Sequence, residues 1–225
     1  MQVDFQAREL TIKLVYYGPA LSGKTTNLQA IHRLLSPEGR GRLMTLETRD
    51  DRTLFFDLLP LTVSTDSGLT VRIKLFTVPG QVIHNSTRRL VLQGADGVAF
   101  IADSQVNEVR ANQAAFKDLR KNLRENGMEP ASMPVVIQYN KRDLPNIRSD
   151  EEISRMASMG RERTYLATAT NGKGVMETLM GLIEAAWENL EQQHTLDQRF
   201  GLRAEHVLHD LSERFSNQPE AAEHG

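Results

Sequence analysis

A doubly wound α/β fold, with a mostly parallel sheet of six or seven strands between helical layers, is predicted by three features of this 225-residue chain. Apolar runs alternate with segments of helical spacing, the rhythm of βαβ units. Two of those runs, at 98–102 and 134–138, are short and apolar, as strands buried on both faces require. Between the first strand and the first helix lies a glycine-bracketed turn, GPALSGKT, at the position where such sheets bind ligands.

The elements follow in order. Residues 10–17 (LTIKLVYY) form the first strand. Residues 25–35 form a helix with Leu28, Ile31, Leu34 and Leu35 at helical spacing, and Ser36-Pro37-Glu38-Gly39 stops it. Residues 39–52 are polar and weakly patterned, and predict a long functional loop. Strands are expected at 53–63 and 69–78, joined through 64–68. The two central strands at 98–102 and 134–138 flank a helix over 109–126, closed by Asn126-Gly127. A last strand is expected at 165–169 and a last helix from 175 to about 193. Residues 194–202 predict a linker. Beyond it, 203–215 carries Ala204, Val207, Leu208, Leu211 and Phe215 on one helical face, and 216–225 is a polar tail. The expected division is a main domain over 1–193 and a C-terminal helical extension over 194–225.

Composition narrows the function. Lys+Arg number 27 against 29 Asp+Glu, a net charge of -2, which argues against a dedicated nucleic-acid binder. The absence of cysteine excludes a disulfide scaffold, a thiolate zinc site, a cysteine nucleophile and S-palmitoylation. The first residues, MQVDFQARELTIK, lack the apolar core of a signal peptide, and no apolar run is long enough to span a membrane. A cytoplasmic protein is expected.

Gly18-Pro19-Ala20-Leu21-Ser22-Gly23-Lys24-Thr25 matches G-x-x-x-x-G-K-[ST] after a strand and opening a helix, the context its mechanism needs. The glycines let backbone N–H groups from Gly18 through Thr26 wrap a β-phosphate at the positive end of the helix. Lys24 is suited to bridge β- and γ-phosphates, and the Thr25 hydroxyl to ligate Mg²⁺. Asn140-Lys141-Arg142-Asp143 follows the strand PVVIQY. In N-K-x-D the carboxylate, here Asp143, accepts from guanine N1–H and the exocyclic amine, donors that adenine does not present. Asn140 and Lys141 brace the base and the phosphate loop. The motif pair predicts a guanine nucleotide.

These motifs, together with Val15-Tyr16-Tyr17-Gly18-Pro19, Ser22 to Leu28, Asp51-Arg52-Thr53-Leu54-Phe55-Phe56-Asp57, Thr77-Val78-Pro79-Gly80-Gln81, Ala102-Asp103-Ser104 and Gln138 to Pro145, resemble the Ras-like small GTPases of P-loop fold. Within them they resemble the bacterial MglA-like group. The resemblance covers about residues 5–190. It implies that Thr53 is the switch I threonine reaching Mg²⁺ and the γ-phosphate, so that Thr25 and Thr53 are the metal ligands. It implies that Arg52 is an intrinsic arginine finger, a device worth roughly 10³–10⁵ in rate. It implies that Gln81 orients the attacking water and that the Gly80 N–H meets the γ-phosphate. The backbone of Thr168-Ala169-Thr170 would contact the guanine carbonyl.

The implied activity is a GTP/GDP switch with Mg²⁺ that hydrolyses GTP slowly, regulated by a roadblock-type partner of the MglB kind and read by an effector that the sequence does not name. Cell polarity or surface motility is the implied process, with a cell pole as a place of enrichment. Two departures bear on turnover. Thr77 stands where most Ras-like proteins carry the aspartate that holds Mg²⁺ through water, a substitution the MglA-like group shares. Ala20 stands where the family usually has glycine, and its methyl either crowds Gln81 and an incoming arginine or fits with a small backbone adjustment. These departures keep open a second reading, a GTP-loaded signalling scaffold with little or no hydrolysis. An ATP-binding protein is a third, opposed by Asn140 and Asp143. The segment Phe55, Phe56, Leu58, Leu59 and Leu61 is expected as a mostly buried strand. The extension helix mixes charges on its polar face, unlike a membrane-surface helix, and is expected to pack back on the domain or bind a partner.

Overall fold

The computed structural model describes residues 1–37, 40–46, 56–65, 68–79 and 85–216. Eight strands form one sheet: β1 (Gln2–Asp4), β2 (Glu9–Tyr17), β3 (Met44–Leu46), β4 (Phe56–Ser64), β5 (Thr70–Thr77), β6 (Gly97–Asp103), β7 (Val135–Asn140) and β8 (Arg163–Leu166). Their spatial order is β3-β4-β5-β2-β6-β7-β8, with β1 paired to β2 off that path. Strands β5, β2, β6, β7 and β8 run parallel, while β1, β3 and β4 are antiparallel to their neighbours. The sheet is therefore mixed and mostly parallel, one or two strands wider than expected. The added strands are the three-residue β1 and β3, too short for an alternating pattern to announce them.

Seven helices are described: α1 (Lys24–Leu34), α2 (Asn85–Leu92), α3 (Val109–Glu125), α4 (Asp150–Met159), α5 (Val175–His194), α6 (Leu196–Phe200) and α7 (Ala204–Ser216). Strand alternation divides the core into two layers. On one face Ile12, Leu14 and Tyr16 of β2 meet Leu28 and Ile31 of α1 and Leu179, Leu182 and Ile183 of α5. On the other, Val15 and Tyr17 of β2 meet Val91 and Leu92 of α2 and Leu119 and Leu123 of α3. Strand β6 is buried at every position, as a strand between two helical layers must be.

Several expectations shift. Strand β8 begins at Arg163 and ends at Leu166, so residues 167–169 belong to the loop after it. Helices α2 and α4 are additions to the expected elements, although α4 opens on a capping box: the Ser149 hydroxyl accepts the Glu152 N–H, and the Glu152 carboxylate accepts the Ser149 N–H. The expected linker contains α6, whose Leu196 is fully buried together with Leu202. Those two apolar residues hold the chain down and turn it into α7, whose Val207 and Leu211 join the same core layer. In β4, Leu59, Leu61 and Val63 point inward and Phe56 and Leu58 are half-buried; Phe55 lies outside the described residues.

Candidate nucleotide site

The parallel strands β2, β5, β6 and β7 all end on one edge of the sheet, and β2 is where the connections diverge to either side. That is the crevice in which a doubly wound sheet receives its ligand. The phosphate loop leaves β2 there. Gly18 has φ +150°, and a Cβ at this residue would lie 2.2 Å from the Ile101 carbonyl oxygen. Gly23 has φ +96°, and its Cβ would lie 2.2 Å from Nδ2 of Asn140. Both glycines are thus fixed by close approach of neighbouring backbone or side chain. Between them Leu21 adopts φ +60° and is 88% exposed, and Ala20 is exposed beside it.

Lys24 opens α1 from a buried position. Its Nζ donates to the carbonyl oxygens of Pro19 at 2.6 Å and Gly18 at 3.2 Å. Burial, and secondarily the cation of Arg88, push its pKa down to about 8. Arg88 of α2 is itself buried and pairs with Asp118 of α3 at 2.9 Å. Asp118 also accepts from the Tyr17 hydroxyl and, at 3.1 Å, from Asn122 Nδ2. This network fastens α2 to α3 and to Tyr17, the residue before the phosphate loop.

Asn140 joins the two motifs. Its Nδ2 donates to the Ser22 carbonyl at 2.8 Å, and its Oδ1 accepts the Ala169 N–H at 3.0 Å. One side chain thereby ties the phosphate loop to the loop after β8. Lys141 sits at φ +64° with its ammonium 2.7 Å from Asp103 Oδ2. Asp143 is exposed and has no ion pair among the described residues. Thr168 and Ala169 are buried, Thr168 N–H donating to the Lys173 carbonyl at 2.9 Å. Thr170 is exposed, its carbonyl accepting Arg33 Nη2 at 3.3 Å. Gly18 to Thr26, Asn140 to Asp143 and Thr168 to Thr170 thus gather at one edge. Arg52, Thr53, Gly80 and Gln81 lie outside the described residues.

A further carboxylate belongs to this edge. Asp57, buried near the start of β4, accepts from Thr25 Oγ1 at 2.7 Å, Thr45 Oγ1 at 2.9 Å and Thr77 Oγ1 at 3.0 Å. Its own N–H donates to the Thr77 hydroxyl at 2.9 Å. Asp57 is not among the expected site residues. The signal was present: in β4, positions 57, 59, 61 and 63 form the inward face, and a carboxylate among Leu59, Leu61 and Val63 is a buried charge that needs a reason. One carboxylate and three hydroxyls make an all-oxygen donor set, the kind a hard dication such as Mg²⁺ requires. The residues present fit that ion.

No family model matches the chain. The chain is 44% identical over 190 residues to the mutual gliding-motility protein MglA of Myxococcus xanthus, an alignment covering 84% of this chain and 97% of that relative.

Proposed function

The chain belongs to the MglA family of small GTPases, and from that premise we propose that it is a guanine-nucleotide switch that hydrolyses GTP slowly alone and faster with a roadblock-type partner. The family binds GTP and GDP with Mg²⁺. The observation that carries the reading is the double engagement of Asn140, which couples Ser22 of the phosphate loop to Ala169 of the loop after β8. A nucleotide spanning both loops then has its phosphates and its base registered by one side chain.

In this reading the loop N–H groups between Gly18 and Thr26 hold the phosphates, and Lys24 moves from the Gly18 and Pro19 carbonyls to the anionic oxygens. Asp143 reads the guanine edge, while the Ala169 region meets its carbonyl. Thr25, with Thr53 from switch I, would hold Mg²⁺. Asp57 takes the place of the missing aspartate at Thr77, acting on the Thr25 hydroxyl it already accepts. When bound, Mg²⁺ neutralises charge on the phosphate oxygens. Gln81 orients water, the Gly80 N–H meets the γ-phosphate, and Arg52 stabilises developing charge as switch I closes. Chemistry of this kind is positioning plus electrostatics, so loop closure gates the rate.

The relative's name concerns gliding motility, and we extend that process, with cell polarity, to this chain. No described helix is long and apolar enough to cross a membrane; a cytoplasmic location with enrichment at a pole is part of the proposal. So is the division into a GTPase domain over 1–193 and an extension over 194–225. The test is single-turnover phosphate release from GTP-loaded protein with Mg²⁺, alone and with a roadblock-type partner from the same organism. Slow release that accelerates with the partner is expected, with Arg52→Ala abolishing the acceleration. Tight GTP binding without release in either condition overturns the hydrolytic reading in favour of a nucleotide-loaded scaffold.

A further inference from the structure

Helix α3 has two unlike flanks. Toward α2, its carboxylates are matched: Asp118 takes Arg88, and Glu125 takes Arg89 at 3.5 Å and Lys121 at 3.6 Å. On the opposite flank Lys117, Arg120 and Arg124 recur at i, i+3 and i+7, one face of the helix. All three are exposed, and none has an ion pair among the described residues. Surface cations scattered singly mean little. These three line a cavity of about 510 Å³ whose floor is apolar, made by Ile137 and Tyr139 of β7 with Phe116 of α3.

Ile137 and Tyr139 on this floor are half-buried. The cavity runs on into a second hollow, of about 370 Å³, that shares Phe116, Arg120 and Glu162 with it and adds Arg161. Glu162 is the one carboxylate lining either, against four cations. From Gln113 to Arg124 the wall is roughly 16 Å long at the helical rise. That length exceeds a compact small ligand and accommodates about five residues of extended chain.

We propose that this groove between α3 and the β7–β8 side of the sheet binds an acidic segment of a partner protein, with an apolar side chain seated over Phe116, Ile137 and Tyr139 and flanking carboxylates on Lys117, Arg120 and Arg124. Charge complementarity selects the occupant: unpaired cations around an apolar floor steer and orient an acidic, apolar-anchored chain. A bilayer surface does not reach a floor recessed behind a helix. The net charge of -2 weighs against a nucleic acid as the occupant. The groove lies on the α3 face and shares no lining residue with those assigned to the nucleotide.

The test uses the GDP-loaded full chain and a short fluorescein-labelled peptide in which glutamates flank a Phe-Leu pair, followed by fluorescence anisotropy. Saturable binding is expected, weakened at least about tenfold in a Lys117→Glu/Arg120→Glu double variant and by added salt. A matched peptide with lysine for glutamate is expected not to bind the natural chain. Unchanged GDP affinity shows that the variant is folded; if it is lost, Arg124→Gln with Lys117→Gln replaces it, with severalfold weakening expected. Equal affinity for natural and variant chains, or no binding at millimolar peptide, overturns the proposal. So does binding of phosphatidylglycerol vesicles or a single-stranded oligonucleotide with this charge dependence while the peptide fails.

Discussion

The Thr77 hydroxyl and Asp57 are bonded in both directions: the hydroxyl donates to the carboxylate at 3.0 Å and accepts the Asp57 N–H at 2.9 Å. The two residues sit side by side on neighbouring strands, at the inward positions of β4 and β5. A negative charge is thereby brought from β4 to the end of β5. The buried carboxylate is tolerable because three hydroxyls donate to its oxygens.

Asp57→Asn keeps the shape and removes the charge. If Asp57 serves Mg²⁺ through Thr25, GDP release from the variant should lose most of its dependence on Mg²⁺. The ratio of release rates in chelator and in excess Mg²⁺ should fall at least about tenfold, in proportion to about 1.4 kcal/mol of lost coupling. Stopped-flow release of a fluorescent GDP measures it. An undiminished ratio would remove Asp57 from the metal's surroundings.

Gly23→Ala and Gly94→Ala separate backbone strain from collision. Gly94 has φ +68° with nothing within 4 Å of an added Cβ, so its variant bears only the left-handed penalty, about 1–2 kcal/mol. Gly23→Ala adds a methyl 2.2 Å from Asn140 Nδ2 and must displace the side chain that joins the two loops. Both variants should lower the Tm, and only Gly23→Ala should lose GDP affinity. Equal GDP affinity in the two variants would mean that Asn140 yields freely, and that the coupling of the loops is unimportant.

How much of this was legible in the sequence depended on what fixes each element. The phosphate loop and Asn140-Lys141-Arg142-Asp143 were legible because each depends on its own few residues and its place after an apolar strand. Strand β6 was legible because burial on both faces leaves an unbroken apolar run. Strands β1 and β3 were not, because three residues carry no period and their pairing partners, β2 and β4, decide them. Helix α4 carries its signal in Ser149 and Glu152, two residues set in a polar stretch. Helix α6 is held by Leu196 and Leu202 reaching a core built elsewhere in the chain, a tertiary effect that local pattern does not contain. Asp57 failed for the opposite reason: its strand was expected, and the inward carboxylate within it was passed over.

Gln138 offers a test of burial alone. It is fully buried on β7, and neither end of its amide has a hydrogen-bond partner among the described residues. An unsatisfied buried amide costs on the order of 1–3 kcal/mol. Gln138→Met conserves volume and deletes the polar atoms, so it should be neutral or stabilising by about 1–2 kcal/mol, with GDP affinity unchanged. Urea denaturation measures it. A destabilised variant would reveal that Gln138 has a partner, most simply a buried water.

Lys24 links the site to pH. With its ammonium held on the Pro19 and Gly18 carbonyls its pKa is lowered to about 8, through burial first and Arg88 second. The unfolded chain keeps the ordinary value of 10.5, so between these two values the unfolded chain binds more protons and stability should rise with pH. Below pH 8 both states are protonated and this contribution is flat. A polyphosphate at the loop does the reverse to the lysine: it favours the cation and draws the pKa back up. Binding of GDP should therefore take up close to one proton near pH 9 and almost none near pH 6.5, and should weaken as pH rises above 8. Calorimetric titrations in buffers of different ionisation enthalpy count that proton directly. Equal uptake at both pH values would mean that Lys24 keeps its charge throughout, and that the carbonyl contacts offset its burial.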